Sequence, residues 1–161
     1  MKLSRFVHTL KTHADFGQAF VFEHFVPARE AVYGTPPPFH DDIRKAMEGL
    51  KMGRLYTHQI EAIGHLRAGK NVLVATETAS GKTLIYTLSV LEKILQNPES
   101  RALFLFPLKA LEHDQLKNLS KWLEQIESLS INAAIYDGDT TPHQRKKIRQ
   151  KPPHILFTNP D

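Results

Sequence analysis

The sequence predicts an α/β fold: a parallel sheet with flanking helices, preceded by an N-terminal arm. Two observations carry this. Asn71–Ala75, Arg101–Phe106, Ile131–Tyr136 and His154–Thr158 are short runs, apolar nearly throughout, as strands buried on both faces are. Between them lie longer segments with apolar residues at helical spacing. At 161 residues, 41% of them hydrophobic and 24% charged, the chain holds about one domain with material for a packed core.

The elements follow in order. Residues 1–39 form the arm and a proline-rich linker. Within them, Ala19–Val26 reads as a strand or an extended apolar arm. Tyr33–Pro38 cannot be helix, because its prolines remove amide donors and fix φ. Residues 40–161 carry the sheet. Asp41 and Asp42 open a helix over Ile43–Leu50, acids at its positive end, and Gly53 closes that region. His58–Ala68 is helical, with Ile60, Ile63 and Leu66 on one face and Gly69 as its stop. Asn71–Ala75 is a buried strand. Lys82–Gln96 is a helix with Leu84, Ile85, Leu88, Leu91, Ile94 and Leu95 in one stripe and Pro98 just beyond. Leu108–Gln125 is helical, and Pro142–Gln150 is a helix capped by Thr141. There are no internal repeats.

Composition excludes several classes. Without cysteine there are no disulfides and no thiolate metal sites. None of the nine histidines pairs at HxxxH or HExxH spacing, so solvated or capping roles are expected. No leader-like apolar region and no membrane-length apolar stretch occurs, which predicts a cytoplasmic protein with no membrane association. The formal charge of +4 is compatible with a nucleic-acid partner without demanding one.

Ala75–Tyr86 (ATETASGKTLIY) then joins a strand, a tight turn and a helix. A phosphate-binding loop needs this context: inward-pointing amides backed by a helix N-terminus. Thr78, Ala79, Ser80 and Gly81 are small enough for the backbone to approach phosphates. Lys82 offers an ammonium to the β and γ phosphates, and Thr83 a hydroxyl to Mg²⁺. The usual spacing wants glycine where Thr76 stands.

That departure, with the small polar run before Gly-Lys-Thr, resembles motif I of superfamily 2 helicases, often A-x-T-G-S-G-K-T. Ala79 stands where that pattern has its first glycine. Leu55-Tyr56-Thr57-His58-Gln59 resembles the Q motif of DEAD/DEAH-type helicases. The resemblance implies that the Gln59 amide reads adenine, donating and accepting at once, with Tyr56 packing on the base. Phe106–Leu111 (FPLKAL) looks like motif Ia, with Leu108 in place of its threonine. Tyr136–Thr140 resembles motif Ib, and Thr158–Asp161 the T-N-P-D element. These imply backbone contacts to nucleic acid through Pro107, Lys109, Ala110, Gly138, Asp139, Thr158 and Asn159, at the sheet edge where open α/β folds place ligands. Leu55 to Asp161 is thus similar to the front of a RecA-like helicase domain. It is most similar to the MrfA/YprA-like branch, 3′-to-5′ DNA motors linked to repair. ATP and Mg²⁺ as cofactors, and DNA as partner, follow from the resemblance.

Hydrolysis also needs a carboxylate for Mg²⁺ and one for the attacking water. The resemblance places them in a D-E-x-H or D-E-x-D motif after T-N-P-D, and the sequence shows none. The expectation is a partial domain, without the second motor domain, that binds nucleotide weakly and does not hydrolyse it. Two other classes stay open: a self-sufficient P-loop NTPase or kinase using Asp137 at its metal, and a nucleic-acid-binding module with a vestigial nucleotide site. His143–Lys151 (HQRKKIRQK) is either a phosphate-contacting patch or a solvated helix face.

Overall fold

In a computed structural model, which describes residues 3–19, 21–22, 24, 26–27, 30–77 and 79–160, the chain divides into two units, 1–31 and 32–161. The first contains a helix that sequence reasoning did not anticipate, α1 (Leu3–Thr12). Its signal was present: Leu3, Phe6, Val7 and Leu10 recur at helical spacing. A 3-10 turn, Gly17–Ala19, follows, closed by Ala19 N donating to Phe16 O at 3.0 Å. Of the expected strand or arm at 19–26, Phe20, Glu23 and Phe25 lie outside the described residues, and none of the others is in a strand.

The second unit holds α2 (Asp41–Gly49), α3 (Thr57–Arg67), α4 (Lys82–Gln96), β1 (Ala102–Leu105), α5 (Lys109–Leu123), β2 (Ala133–Ile135), α6 (Pro142–Gln150) and β3 (Ile155–Thr158). All three strands are parallel, in the order β1-β3-β2, with Ala102 and Ala133 both in register with Ile155. Each connection runs through a helix, because parallel neighbours cannot be joined by a tight turn. Gly69, at φ +73°, supplies the left-handed residue that stops α3.

The apolar stripe of α4 explains the core. Ile85, Leu88, Leu91 and Ile94 are buried, with Ile43 and Ala46 from α2, Ile63 from α3, and Leu119 and Trp122 from α5. Ile155 and Phe157 of β3 are fully buried beneath them. Phe104 meets Phe157 and Tyr86 edge-on, at centroid distances of 5.1 and 5.0 Å. Arg67 of α3 grips the buried Glu92 of α4 with two hydrogen bonds of 2.8 and 2.6 Å, and donates a third to Pro38 O. That planar fork is a use lysine could not serve.

One expectation fails. Asn71–Ala75 is not a strand, and it pairs with nothing in the sheet. Val72 and Val74 rest against the core, but Leu73 is 94% exposed. Leu103 and Leu105, opposite Phe104 on β1, are also exposed, at 58% and 64%. An apolar extended run becomes a strand only when a neighbour supplies its ladder bonds. Among the described residues none does so here.

Candidate nucleotide and nucleic-acid site

The approach to the phosphate loop is built by α3. Val32 O accepts from Thr57 N at 3.1 Å and Gly34 N donates to Leu55 O at 3.2 Å, so the segment before the prolines runs against the start of α3. This brings Tyr33 onto Tyr56, the rings nearly parallel with centroids 5.0 Å apart. Tyr56 stacks in turn on His58 at 5.5 Å, and Arg54 lies 5.6 Å over Tyr33. The result is an aromatic wall on a cavity of about 880 Å³, also lined by Gln59, Ala79, Gly81 and Thr83. Its size suits a small-molecule ligand. Tyr33 was missed from sequence, because its partner lies over twenty positions downstream.

Gln59 is buried, and its amide is already engaged. Its Oε1 accepts from Tyr56 N and its Nε2 donates to Gly81 O, both at 2.9 Å. It therefore ties α3 to the phosphate loop, keeping one lone pair and one N–H for a base edge. A second tie joins His58 Nε2 to Ser80 O at 3.0 Å. Gly81, at φ +75°, admits no side chain: a Cβ there would meet Gln59 Nε2 at 2.5 Å.

Within the loop, Lys82 Nζ donates to Glu77 O at 2.7 Å and Thr76 O at 2.9 Å, and reaches the hydroxyls of Thr76 and Ser80 at 3.1 and 3.2 Å. The ammonium occupies the centre of the ring that phosphates would enter. Thr76, standing where the usual spacing has glycine, also bonds Ser80 Oγ at 2.5 Å. Ala79 takes φ +61°, a left-handed conformation that costs a side-chain-bearing residue free energy. Thr83 sits in the first turn of α4 and lines the cavity. Thr78 lies outside the described residues. The donor set suits a nucleotide polyphosphate: an ammonium, a hydroxyl for a cation, and a helix N-terminus with free amides.

The strand ends form a second cluster. Lys109 opens α5, and its Nζ lies 2.9 Å from Asp139 Oδ2. That hydrogen bond holds the Lys109 ammonium above its usual pKa. Gly138 lies beside the Lys109 side chain; a Cβ there would meet Lys109 Nζ at 3.4 Å. Thr158 donates its hydroxyl to Tyr136 O, which joins β3 to the turn after β2. Pro107, Leu108 and Ala110 are exposed, whereas Asn159 is buried. Leu108 is the N-cap of α5 and makes no side-chain cap bond.

Asp137 is bound into its own turn. Its Oδ1 accepts from Asp139 N and Thr140 N at 3.0 Å and from Thr140 Oγ1 at 2.9 Å. Burial pushes this carboxyl up, but those hydrogen bonds and nearby Lys109 outweigh it and leave its pKa below the usual value. Arg145, unmarked by sequence beyond its basic run, donates to Asp137 O and Thr140 O at 2.6 and 2.8 Å and lies over Tyr136. Asp137 is thus consumed in shaping its own turn, against an NTPase that uses it. Among the described residues no cluster of three His, Cys, Asp or Glu could hold a metal, and no helix is long and apolar enough to cross a membrane.

Residues 56–161 match the DEAD/DEAH box helicase family model. The ATP-dependent helicase YprA of Bacillus subtilis (strain 168) is 42% identical over 139 residues, 86% of this chain and 18% of its own length. The ATP-dependent helicase HRQ1 of Saccharomyces cerevisiae is 43% identical over 71% of this chain and 11% of its own. The structure of the DUF1998 helicase MrfA bound to DNA and AMPPNP superposes with a TM-score of 0.84 at 36% identity, covering 99% of this chain and 22% of that one. The chain therefore spans about a fifth or less of the length of the curated relatives it matches.

Proposed function

Because the chain belongs to the DEAD/DEAH box helicase family, we propose that it forms the ATP-binding front of an ATP-dependent DNA helicase of the MrfA/YprA-like branch. The observation that carries this is the meeting of Gln59, Tyr56, Ala79, Gly81 and Thr83 at one cavity. Lys82 exchanges its loop carbonyls for β and γ phosphates, an ion pair for neutral acceptors. Gly81 and the first turn of α4 present amides to the phosphates, and Ala79 and Ser80 let the backbone close on them. Thr83 holds the Mg²⁺ that accompanies ATP. Gln59 offers its remaining lone pair and N–H to adenine, and Tyr56 gives the base an apolar wall. Bound Mg-ATP supplies the phosphoanhydride cleavage that drives such motors.

At the strand ends, Lys109, Ala110, Gly138, Asp139, Thr158 and Asn159, beside Pro107, form the track for a nucleic-acid backbone. DNA is favoured by the DNA-bound structure of MrfA at 36% identity. We assign the metal and water-positioning carboxylates, and a second motor domain, to parts of the working helicase beyond these residues. We take residues 1–39 as an arm and linker before the motor unit at 40–161, with the linker from Val32 to Pro38 packed on that unit.

Competition between nucleotides tests the base contact. A labelled ATP analogue is expected to be displaced more readily by ATP than by GTP. Gln59→Ala is expected to lose that preference, by about 1–3 kcal/mol as for one unmet polar pairing. Equal preference before and after the substitution would contradict the assignment.

A further inference from the structure

Helix α6 carries a strongly charged surface that the nucleotide cavity and the strand-end cluster leave unused. Arg145, Lys146, Lys147, Arg149 and Lys151 crowd into it, and no acidic residue occurs from Thr140 to Pro160. α6 buries none of its residues. Several cations elsewhere are paired: Arg44 with Asp41, Arg67 with Glu92, Lys109 with Asp139. The side chains of Lys146, Lys147, Arg149 and Lys151 have no ion-pair or hydrogen-bond partner among the described residues.

A merely solvated helix face usually interleaves signs, as α5 does with Asp114 among Lys109, Lys117 and Lys121. On α6, Lys146 and Arg149 are three apart, so like charges face each other at a cost in helix stability. The helix is nonetheless held firmly. Thr141 and Gln144 form a capping box at its start. Arg145 fastens it to Asp137 O and Thr140 O, in the turn that presents Gly138 and Asp139. One of the five cations thus fixes the helix to the strand-end cluster, and four remain outward. α6 has no Phe, Tyr or Trp, with His143 as its one aromatic ring, so its chemistry favours phosphate over base.

We propose that α6 extends the nucleic-acid track: Lys146, Lys147, Arg149 and Lys151 bind the sugar-phosphate backbone of a strand as it passes from the strand ends, independently of sequence. Nine residues make a helix of about 13 Å, a span of about four phosphates along one strand. This rests on the nucleic-acid reading above.

The test is fluorescence anisotropy of a labelled 30-nucleotide single strand of mixed sequence with the whole chain, at NaCl concentrations from 50 to 300 mM. A triple variant, Lys146→Gln, Lys147→Gln and Arg149→Gln, keeps good helix formers. It is expected to weaken binding on the order of tenfold at 100 mM NaCl, and to lower the slope of log Kd against log salt by about 2, for three phosphates released. A Lys146→Arg, Lys147→Arg double variant is expected to bind as the parent does. A single Lys147→Gln variant, checked for an unchanged melting temperature, reads the same slope should the triple variant unfold. Parental affinity and slope in the α6 variants, with binding weakened by Lys109→Ala, would overturn the role of α6 and leave the nucleic-acid reading standing. No binding by the parent at 50 mM NaCl would overturn both. Binding of polyglutamate but not of the oligonucleotide would also overturn the proposal, assigning α6 to an acidic protein partner.

Discussion

At Thr76 and Ala79 the phosphate loop carries side chains where related loops rely on glycine. Ala79 carries a left-handed φ of +61° that only glycine adopts freely. Ala79→Gly is therefore expected to raise stability by about 0.5–1 kcal/mol, a gain of a few degrees in melting temperature for a domain this size. A lower melting temperature would show that the loop's rigidity outweighs its strain. Across the strand ends, Asp139 engages the Lys109 ammonium at 2.9 Å, though both side chains are substantially exposed. Such a surface pair contributes little to stability. A phosphate must compete with it, and the carboxylate itself repels a polyanion. Asp139→Asn is expected to tighten single-strand DNA binding several-fold at low salt while moving the urea midpoint little. Weaker binding would mean that Asp139 positions Lys109 rather than competing for it.

Among the elements, α5 holds the least expected group. Glu112 is fully buried in its first turn, and neither carboxylate oxygen has a hydrogen-bond partner among the described residues. A buried carboxylate without a partner destabilises, and an apolar side chain of similar size relieves that cost. Glu112→Met is expected to raise stability by about 1–3 kcal/mol, read from the urea midpoint. A fall would reveal a buried partner for the carboxylate. This group escaped sequence reading because an acid near a helix start looks favourable at the surface; only packing places it inside. The helices α2 to α6 were legible, since stripes such as Leu84, Leu88, Leu91 and Leu95, and caps such as Thr141, are local signals. β1, β2 and β3 were legible for their apolar runs. Asn71–Ala75 has the same composition and is not a strand, because pairing is a property of two segments. α1 was legible in principle, but the aromatic run after it drew the reading toward an extended arm.

For the whole molecule, motif order named several residues that the fold brings together: Gln59 meets Gly81, and Lys109 meets Gly138 and Asp139 at the strand ends. Tyr33 and Arg145 were invisible because each acts through a contact with no local sequence mark. Leu103 and Leu105 of β1, and Leu73 outside the sheet, leave exposed apolar surface beyond the core. The central claim is that Lys82 leaves its own loop carbonyls to receive the phosphates of ATP. Calorimetric titration of the purified chain with Mg-ATP, beside Lys82→Ala, tests this most directly. The account predicts measurable binding that weakens about tenfold or more in Lys82→Ala, the scale of one charge-assisted contact, with no phosphate released by either protein. Equal affinity in the two proteins would contradict it, and Lys82-dependent phosphate release would return Asp137 to the catalytic role denied it here.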